Sequence, residues 1–364
     1  MLSLYSYSFP YTSTFKTSFG TFSTRKGVYI RYIEPDTPID LVSEAAPFPG
    51  LFDETFKDVL LQLKSDILIL TDFLEQVDDP KMLKDFLDKR SYPSSMEFAI
   101  SCLALDLITY RDPSQNTIKA ISHKQSSQIT VNSVSGILPD RDIENVIEEQ
   151  YQLGYRTLKL KCGRNPGNLS LIIRKYSDRH PDLKFRIDAN RSWTFDEALK
   201  HLKIFHLPSV EYCEEPLLSG NRNEYLKLKE LSPVPLALDE SVRNIHQLRQ
   251  AIKYNQSEIV IIKPAVFGNI LNLIETFTGS DTHVIKSVFS SCFESAVGLQ
   301  AVVRLTALLG NPEIAHGLDT GRFLKQNFSG ITVRKGMINT KNLDTWSAKF
   351  DITNAKFLKK IDAE

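Results

Sequence analysis

Short apolar runs rich in β-branched residues alternate with amphipathic stretches along the chain from about Ile129 onward. Eight of these runs have the length and composition of buried strands, and nearly all are followed by apolar residues at helical spacing. The runs are ITVNSVSGIL, TLKLKCG, FRIDANRS, SVEYCEEP, PLALDES, EIVIIKP, HVIKSVFSS and EIAHGLDT. Strands that alternate with helices form parallel βαβ units, and eight such units close into a barrel. The pattern predicts an α/β fold with a TIM-like (β/α) barrel over residues 128–320.

The first part of the chain, residues 1–127, has a different order of elements. Strand-like sequence, SFGTFSTRKGVYIRYI, comes first, and the helical stretches ETFKDVLLQLKSDILIL and MEFAISCLALDLITYR follow it. Strands followed by helices are typical of an α+β domain, so we expect a separate N-terminal domain. The tail, residues 321–364, carries one more strand-like run, GITVRKGMINT, and we expect it to pack back on that domain.

Composition narrows the range of partners. The 364 residues include 44 Lys plus Arg and 44 Asp plus Glu, so the formal net charge is zero. Neither nucleic acid nor an anionic membrane is an expected partner, because both attract proteins with a basic excess. No apolar run approaches the roughly 18 residues that span a bilayer. The N-terminus lacks the features of a secretory signal, and the four cysteines show no CxxC spacing, so we expect a cytoplasmic protein with reduced thiols.

Charged residues lie at the ends of five consecutive predicted strands, where a barrel strand gives way to its loop. Steps of about 25 residues separate one strand's charges from the next, so they occupy equivalent places on successive βα units. Active sites of such barrels form at this end of the strands. A single aspartate there is more often a helix cap, and a single lysine is more often solvated, but six at this spacing indicate a site. They are Lys159, Lys161, Asp188, Glu214, Asp239 and Lys263.

The three carboxylates on adjacent strands would repel one another without a cation between them. Oxygen ligands in this number suit a hard dication, Mg²⁺ with Mn²⁺ as a substitute, whereas zinc favours the histidine and cysteine that are missing here. The lysines on either side would face a substrate bound at that cation. We expect the cation and the repulsion between lysines to lower a lysine pKa toward neutrality, as a general base requires.

The ordered motifs Lys-x-Lys, Asp-x-Asn, Glu-x-Pro, Asp-Glu-Ser and Lys-Pro resemble those of the enolase superfamily, muconate-lactonizing subgroup. Within it, the segments EAAPFPGLFDETF, SYPSSMEFAISCLALDL, DANRSWT, SSCFESAVGLQ and HGLDT are most similar to the o-succinylbenzoate synthases. The resemblance covers nearly the whole chain. It implies a modified enolase-type barrel with residues 1–127 as its capping domain, and Mg²⁺-dependent removal of a proton next to a carboxylate.

The resemblance also implies roles for the charged residues. Asp188, Glu214 and Asp239 match the metal ligands, and Glu215 is the alternative to its neighbour Glu214. Among the lysines, Lys161 matches the general base and Lys159 matches its electrostatic companion. Lys263 matches a lysine on the other side of the site. A synthase would use the charge of Lys263, and a racemase would use Lys263 as a second base.

Substrate contacts are less sharply indicated. Ser290 and Ser291 end the seventh predicted strand, where they would hold a succinyl carboxylate or cap the next helix. Gly317 ends the eighth predicted strand and is a further candidate substrate contact. Asn190 would orient the metal site or serve as a turn residue. The structural alternative remains open for each of these residues.

The implied activity is that of a carbon–oxygen lyase acting on a small carboxylate. It is the syn dehydration of 2-succinyl-6-hydroxy-2,4-cyclohexadiene-1-carboxylate to 2-succinylbenzoate through an enediolate, on the route to menaquinone or phylloquinone. The same scaffold would serve N-succinylamino acid racemisation, dipeptide epimerisation or muconate cycloisomerisation. Gly317-Leu318-Asp319 disfavours the epimerase, whose family usually carries Asp-x-Asp there. A non-catalytic, barrel-derived binding protein is disfavoured because it would gain nothing from a buried charge cluster.

Overall fold

Three sheets organise the chain. The computed structural model describes residues 1–17, 20–115, 126–135, 140–162, 166–279, 285–325, 331–341, 343–348 and 358–361. An antiparallel sheet forms near the N-terminus, a seven-stranded sheet with parallel pairing forms the centre, and a three-stranded sheet joins residues near 130 to the tail. No helix within these described ranges is both long and apolar enough to cross a membrane.

The N-terminal part is a sheet followed by a group of helices. Its strands are β1 (Leu2–Thr17), β2 (Gly20–Ile33) and β3 (Asp40–Ala45), and its helices are α1 (Phe56–Ser65), α2 (Ile67–Gln76), α3 (Pro80–Asp88) and α4 (Ser94–Arg111). Local sequence explains where two helices begin. Thr55 and Asp58 form a capping box before α1, and Pro80 follows the capping side chain of Asp79. Helix α4 is buried from Ser95 to Ile108 apart from Glu97, as its nearly continuous apolar sequence predicts.

The central part alternates short strands with helices. The strands after residue 127 are β4 (Gln128–Thr130), β5 (Ser133–Val134), β6 (Thr157–Lys161), β7 (Lys184–Asp188), β8 (Val210–Glu214), β9 (Leu236–Leu238), β10 (Ile259–Ile262) and β11 (Lys286–Phe289). The helices are α5 (Asp140–Gln152), α6 (Pro166–Arg179), α7 (Phe195–Ile204), α8 (Arg222–Leu231), α9 (Ile245–Lys253), α10 (Pro264–Phe267), α11 (Ile270–Thr278) and α12 (Ala296–Leu309). Strands β5 to β11 pair in parallel in chain order, as βαβ units require.

The barrel closes through a segment that is too short to be a regular strand. His316 makes a parallel bridge to Val131 beside β5, and Gly317 makes one to Ser290 beyond β11. The eighth predicted strand, EIAHGLDT, is therefore reduced to these bridges. It still joins the two edges of the seven-stranded sheet, so the sheet curls into the predicted (β/α) barrel.

Two predicted runs are arranged differently from expectation. The first, ITVNSVSGIL, is divided: β4 pairs antiparallel with the tail strand β13 (Met337–Asn339), and only β5 enters the barrel. Residues 136–138 of this run lie outside the described residues. The tail run GITVRKGMINT, of which Gly330 also lies outside, was expected on the N-terminal domain. Its strands β12 (Val333–Arg334) and β13 instead extend from β4.

Later parts of the tail do reach the N-terminal sheet. Strand β14 (Leu358–Ile361) pairs antiparallel with β1, and Ala348 bridges Val42 of β3. Asp106 of α4 accepts hydrogen bonds from the backbone N–H groups of Trp346 and Ser347 at 2.8 and 2.6 Å. The tail is thus attached both to the start of the barrel and to the N-terminal sheet.

A buried carboxylate connects the N-terminal sheet to the barrel. Glu44 on β3 is 2% exposed and accepts hydrogen bonds from the backbone N–H groups of Ser295 and Gly298 at 3.0 and 2.8 Å. The hydroxyls of Ser295 and Tyr7 also donate to it. These backbone groups lie at the N-terminus of α12, where a negative charge is favoured by the helix dipole.

Candidate active site

The predicted charged residues meet at the carboxyl ends of the barrel strands. Lys161 ends β6, Asp188 ends β7 and Glu214 ends β8, and register places these three side by side on neighbouring strands. Asp239 and Lys263 directly follow β9 and β10. Because neighbouring strand ends lie close together, sequence spacing alone suffices to bring these side chains into one pocket, which they line together with Lys159.

Two lysines of β6 contact the carboxylates of the next two strands. The Lys159 ammonium lies 2.5 Å from Glu214 Oε1 and 3.1 Å from Asp188 Oδ2. The Lys161 ammonium lies 3.2 Å from the same Asp188 oxygen and also donates to Asn190 Oδ1. Lys159 and Lys161 are two residues apart on one strand and thus point to the same, inner face of the barrel.

The third lysine lies on the other side of the barrel. Lys263 donates to both oxygens of Asp239, at 2.5 and 2.6 Å. Strand β6, which carries Lys161, and β10, which precedes Lys263, are separated by three strands on one side. In a barrel closed by an eighth segment this is a diametric separation, so the two lysines lie on opposite sides of the pocket that both line.

The pKa of each buried charge reflects its neighbours. Burial lowers the pKa of Lys159 and Lys263, but the adjacent carboxylates more than offset this, so both lie above their usual range. The predicted lowering of a lysine pKa depends on a bound cation and stays a prediction. Burial raises the pKa of Asp188, whereas Lys159 and Lys161 hold it well below its usual range. Burial, with repulsion from the other two carboxylates, raises the pKa of Glu214.

The structure distinguishes the two adjacent glutamates. Glu214 lines the pocket, whereas the side chain of Glu215 turns toward the turns that follow β7 and β9. Its carboxylate accepts hydrogen bonds from the backbone N–H groups of Asp239 and Ser241, at 2.7 and 3.2 Å, and from Arg191 Nε at 3.2 Å. Glu215 thus holds the backbone around Asp239, and Glu214 is the one of the two that lines the pocket.

Glu240 is a pocket residue that was not predicted from the sequence. It follows Asp239 in the Asp-Glu-Ser motif, lines the pocket and accepts a hydrogen bond from Asn190 Nδ2 at 3.1 Å. Burial, with the charge of Asp239, raises the pKa of Glu240 to about 7. Strand alternation predicts that Glu240 points away from the side chain of Asp239. Alternation does not apply here, since β9 ends at Leu238. The one sequence signal for Glu240 was therefore its place in the Asp-Glu-Ser motif.

The other predicted contacts line the same pocket. Ser290, Ser291 and Gly317 form its wall beyond β11, and Asn190 lies beside Lys161. Ser291 Oγ is 2.6 Å from the Thr320 hydroxyl and 3.3 Å from the carbonyl oxygen of Gly317. Apolar side chains complete the pocket and include Phe48 and Leu51 from the N-terminal domain. The pocket therefore pairs a charged floor with a mainly apolar and hydroxyl-bearing wall, which suits a small carboxylate with a hydrocarbon body.

The donor chemistry of the pocket fits a hard dication. When all four are ionised, Asp188, Glu214, Asp239 and Glu240 carry one more negative charge than the three lysines offset, and all four offer oxygen. In their present orientations the carboxylates turn to the lysines, so no three metal-binding side chains surround one point in the described parts of the chain. The fit to Mg²⁺ is thus one of charge, ligand type and place in the barrel.

Comparison with known proteins identifies relatives of the chain. A family model described as "Enolase C-terminal domain-like" matches residues 142–341. The o-succinylbenzoate synthase of Haemophilus influenzae is 27% identical over 322 residues, covering 87% of this chain and 88% of that protein. That of Pasteurella multocida is 33% identical over 173 residues, 46% and 50% of the two chains. Protein PHYLLO, chloroplastic, of Arabidopsis thaliana is 28% identical over 51% of this chain, which spans only 12% of that protein.

Solved structures share the whole architecture. Muconate lactonizing enzyme from Pseudomonas fluorescens, complexed with muconolactone, superposes with a TM-score of 0.80 at 16% identity and 95% coverage of both chains. A dipeptide epimerase from Cytophaga hutchinsonii, complexed with Mg and a dipeptide, also gives 0.80, at 19% identity with 99% and 98% coverage. At such identities the likeness shows the fold, and the family model matches more than half of the sequence. Barrel, pocket and family match agree: the chain belongs to the enolase superfamily.

Proposed function

We propose that the protein is an o-succinylbenzoate synthase, a Mg²⁺-dependent lyase that dehydrates 2-succinyl-6-hydroxy-2,4-cyclohexadiene-1-carboxylate. The observation that carries the proposal is the pair Lys161 and Lys263 on opposite sides of one pocket, with carboxylates between them. Several relatives with this printed name support the choice within the superfamily. The product, 2-succinylbenzoate, would serve menaquinone or phylloquinone synthesis, and we place the reaction in the cytoplasm.

Lys161 carries the proton transfers in this proposal. As the neutral amine it takes the proton from the ring carbon that bears the carboxylate, and the electron pair moves into the carboxylate to give an enediolate. The Lys161 ammonium then donates that proton to the hydroxyl leaving from the same face, which departs as water. The ring becomes aromatic as the carbon–oxygen bond breaks, so the second step is strongly downhill and the enzyme mainly supplies placement and charge.

The remaining charged groups stabilise the negative charge that develops on the substrate. Asp188, Glu214 and Asp239 would hold Mg²⁺, the ion that superfamily members generally use, and it would supply positive charge beside the substrate carboxylate. Lys159 keeps its proton and its charge through contacts with two of these carboxylates. Lys263 acts as a second fixed positive charge on the opposite face and needs no proton exchange.

We further propose that the chain divides its work between two domains. Residues 1–127 form the capping domain, to whose sheet β14 and Ala348 of the tail attach, and residues 128–320 form the catalytic barrel. Phe48 and Leu51 of the capping domain line the pocket, where they would exclude water from the reacting carbon. Ser290, Ser291 and Gly317 would hold the succinyl end of the substrate, and Asn190 would act beside Lys161.

The direct test is an assay of the purified protein with the cyclohexadiene substrate and Mg²⁺, followed by the appearance of 2-succinylbenzoate. N-succinylamino acids, dipeptides and muconate are assayed in parallel. Dehydration that outpaces the other reactions supports the proposal. Efficient racemisation without dehydration would assign the same site to a racemase, and Mg²⁺ binding without any turnover would point to a binding protein.

Lys161→Ala should lower the dehydration rate by at least about 10²–10⁴-fold, the usual contribution of a general acid–base group. The variant should keep its fold and its Mg²⁺ affinity, because Lys161 is not a metal ligand in this scheme. Stopped assays, circular dichroism and calorimetric Mg²⁺ titration measure the three quantities. Near-normal turnover would assign the base elsewhere, with Lys263 as the next candidate.

A further inference from the structure

The side chain of Asn190 connects the proposed base to a second carboxylate of the pocket. Its Oδ1 accepts from the Lys161 ammonium, and its Nδ2 donates to Glu240 Oε1 at 3.1 Å. We propose that Glu240 and Asn190 are positioning residues for Lys161, with Glu240 fixing the orientation of the Asn190 amide so that its oxygen faces the lysine. This inference rests on the proposed function, because it assigns Lys161 the proton transfer.

Hydrogen bonding at the Lys161 nitrogen explains what is positioned. An ammonium has three N–H donors, and two of them are used by Asp188 Oδ2 at 3.2 Å and by Asn190 Oδ1. These two contacts fix the direction of the Lys161 side chain and leave one tetrahedral direction at its nitrogen for a substrate.

The orientation of the amide decides whether this arrangement can exist. An asparagine has an acceptor end and a donor end of nearly equal size, so Asn190 fits its space in either orientation. With the amide reversed, its NH₂ group would face the donors of Lys161. The ionised Glu240 carboxylate accepts at Oε1, and in that form it favours the orientation in which Nδ2 points to it. Without that acceptor nothing in the described contacts of Nδ2 selects the orientation.

The backbone holds both positioning residues in place. Asn190 has a φ of 44°, a left-handed conformation that asparagine tolerates better than most residues, and Arg191 follows with 57°. The Asn190 N–H donates to Asp188 Oδ1 at 3.2 Å, and the Arg191 N–H donates to the Glu215 carbonyl at 2.7 Å. Because this turn is tied to β8, the Asn190 side chain starts from a fixed point.

Glu240 is held from the other side by its neighbours. The backbone N–H groups of Asp239 and Ser241 both donate to Glu215 Oε2, so the peptide on each side of Glu240 is anchored to the end of β8. Glu215 thus fixes both the Asn190 turn and the segment that carries Glu240. The contact between the two side chains follows from this shared anchor and has the rigidity that positioning requires.

The test is a double-mutant cycle on Asn190 and Glu240 in the full-length protein at saturating Mg²⁺. The variants are Asn190→Leu, Glu240→Leu and the combination of both, with Glu240→Gln as the conservative variant. Glu34→Gln is a matched control, because Glu34 pairs with Arg111 at a contact outside the pocket. Thermal unfolding and Mg²⁺ titration of each variant identify losses that come from folding or metal binding.

If Glu240 acts through Asn190, each leucine variant should lower kcat by about 10–100-fold and change KM by less than about 3-fold. The double variant should be no slower than Asn190→Leu alone, because the second change removes a partner that is already lost. Glu240→Gln should lose less than Glu240→Leu, since its amide oxygen still accepts from Asn190. The Glu34→Gln control should behave as the wild type.

Three results would overturn the proposal. Losses that multiply in the double variant would show that the two residues act independently. Equal losses in Glu240→Gln and Glu240→Leu would show that the charge of Glu240 matters and its acceptor position does not. A fall in Mg²⁺ affinity or stability that accounts for the whole loss of rate would give Glu240 a purely structural role.

A second readout separates this proposal from the proposed function. Exchange of the α-proton of N-succinylamino acids with deuterium, followed by NMR, reports proton transfer whichever product the enzyme makes. If wild-type protein shows neither exchange nor dehydration, the proposed function fails, and crystal structures of wild type and Glu240→Leu decide the positioning question. Loss of the Asn190–Lys161 contact in the variant supports the proposal, and its retention overturns it.

Discussion

Lys263 is the residue at which the proposed dehydration and a racemisation differ most. A syn elimination needs one acid–base lysine on one face, whereas racemisation needs one on each face. Lys263 holds both oxygens of Asp239, at 2.5 and 2.6 Å, and the carboxylates around it keep its pKa above the usual range. In the proposed dehydration Lys263 acts as a fixed charge, whereas a racemase would use it as the second base.

Lys263→Arg should therefore separate the two activities. Arginine keeps the charge and matches a carboxylate with two parallel hydrogen bonds, but its pKa is too high for a base. We expect measurable dehydration to remain, while any racemisation of N-succinylamino acids falls by at least about 10²-fold. Both activities are measured on one preparation. Equal loss of both in a correctly folded variant would mean that Lys263 has a different role.

A pocket residue can be predicted from the sequence when it belongs to the regular pattern of strands and helices. The charges at strand ends followed from spacing alone, since each βα unit returns the chain to the same edge of the barrel. The choice of Glu214 over Glu215 also agrees with alternation along β8. Glu240 was missed because it lies beyond β9, where loop geometry replaces that alternation. Its position depends on Glu215, a contact between segments that no local pattern encodes.

The elements of the barrel were predicted well where a strand is followed by a helix and poorly where the barrel closes. Hydrophobic runs reveal how buried a segment is, but they do not say which neighbour it pairs with. The run from Ile129 has one strand-like pattern, yet β4 pairs with β13 and β5 with β6. Only the tail, more than 200 residues later, supplies the competing partner. The closing segment at His316 is held partly by a side chain.

That side chain makes the stability of the closing segment depend on pH. His316 Nδ1 accepts a hydrogen bond from the Phe289 N–H at 3.0 Å, so the ring must be neutral there. Burial, with the charge of Arg186, lowers the pKa of His316 to about 3, against about 6.5 in the unfolded chain. Between pH 3 and pH 6.5 the His316 ring is protonated in the unfolded chain and neutral in the folded chain. The contribution to stability is thus complete above about pH 6.5 and is lost as the pH falls toward 3.

His316→Leu should reveal this by comparison with the wild type. The variant should be less stable at pH 7, because the Phe289 N–H loses its partner, but the difference should shrink as the pH is lowered from 6.5 to 4. The slope of that difference should approach about 1.4 kcal/mol per pH unit. Urea unfolding at each pH measures it. His206→Gln, at an exposed position, is the control, and a difference independent of pH would contradict the assignment.

At the scale of the whole molecule, the two expected domains share one hydrophobic core. A single cluster of buried side chains includes Leu4 and Val28 of the N-terminal sheet, Leu103 of α4, and Phe185 and Val302 of the barrel and its helices. The amino-acid composition does not predict this shared core, because polar residues could have covered the face that each domain turns toward the other. We therefore expect one cooperative unfolding transition for the chain, seen at the same urea concentration by circular dichroism and by tryptophan fluorescence.

The polar counterpart of this shared core is Glu44 at the N-terminus of α12, and its removal should weaken the whole molecule. Glu44→Gln replaces one accepting oxygen by an NH₂ group that faces N–H and O–H donors, so buried donors lose their partner. We expect a loss of about 2–4 kcal/mol in the free energy of unfolding. Asp40→Asn provides a matched control on the same strand, because Asp40 pairs with Arg31 where it is 42% exposed. Such a pair contributes less than about 1 kcal/mol. Equal, small effects of the two substitutions in urea unfolding would show that Glu44 does not hold the N-terminal sheet to the barrel.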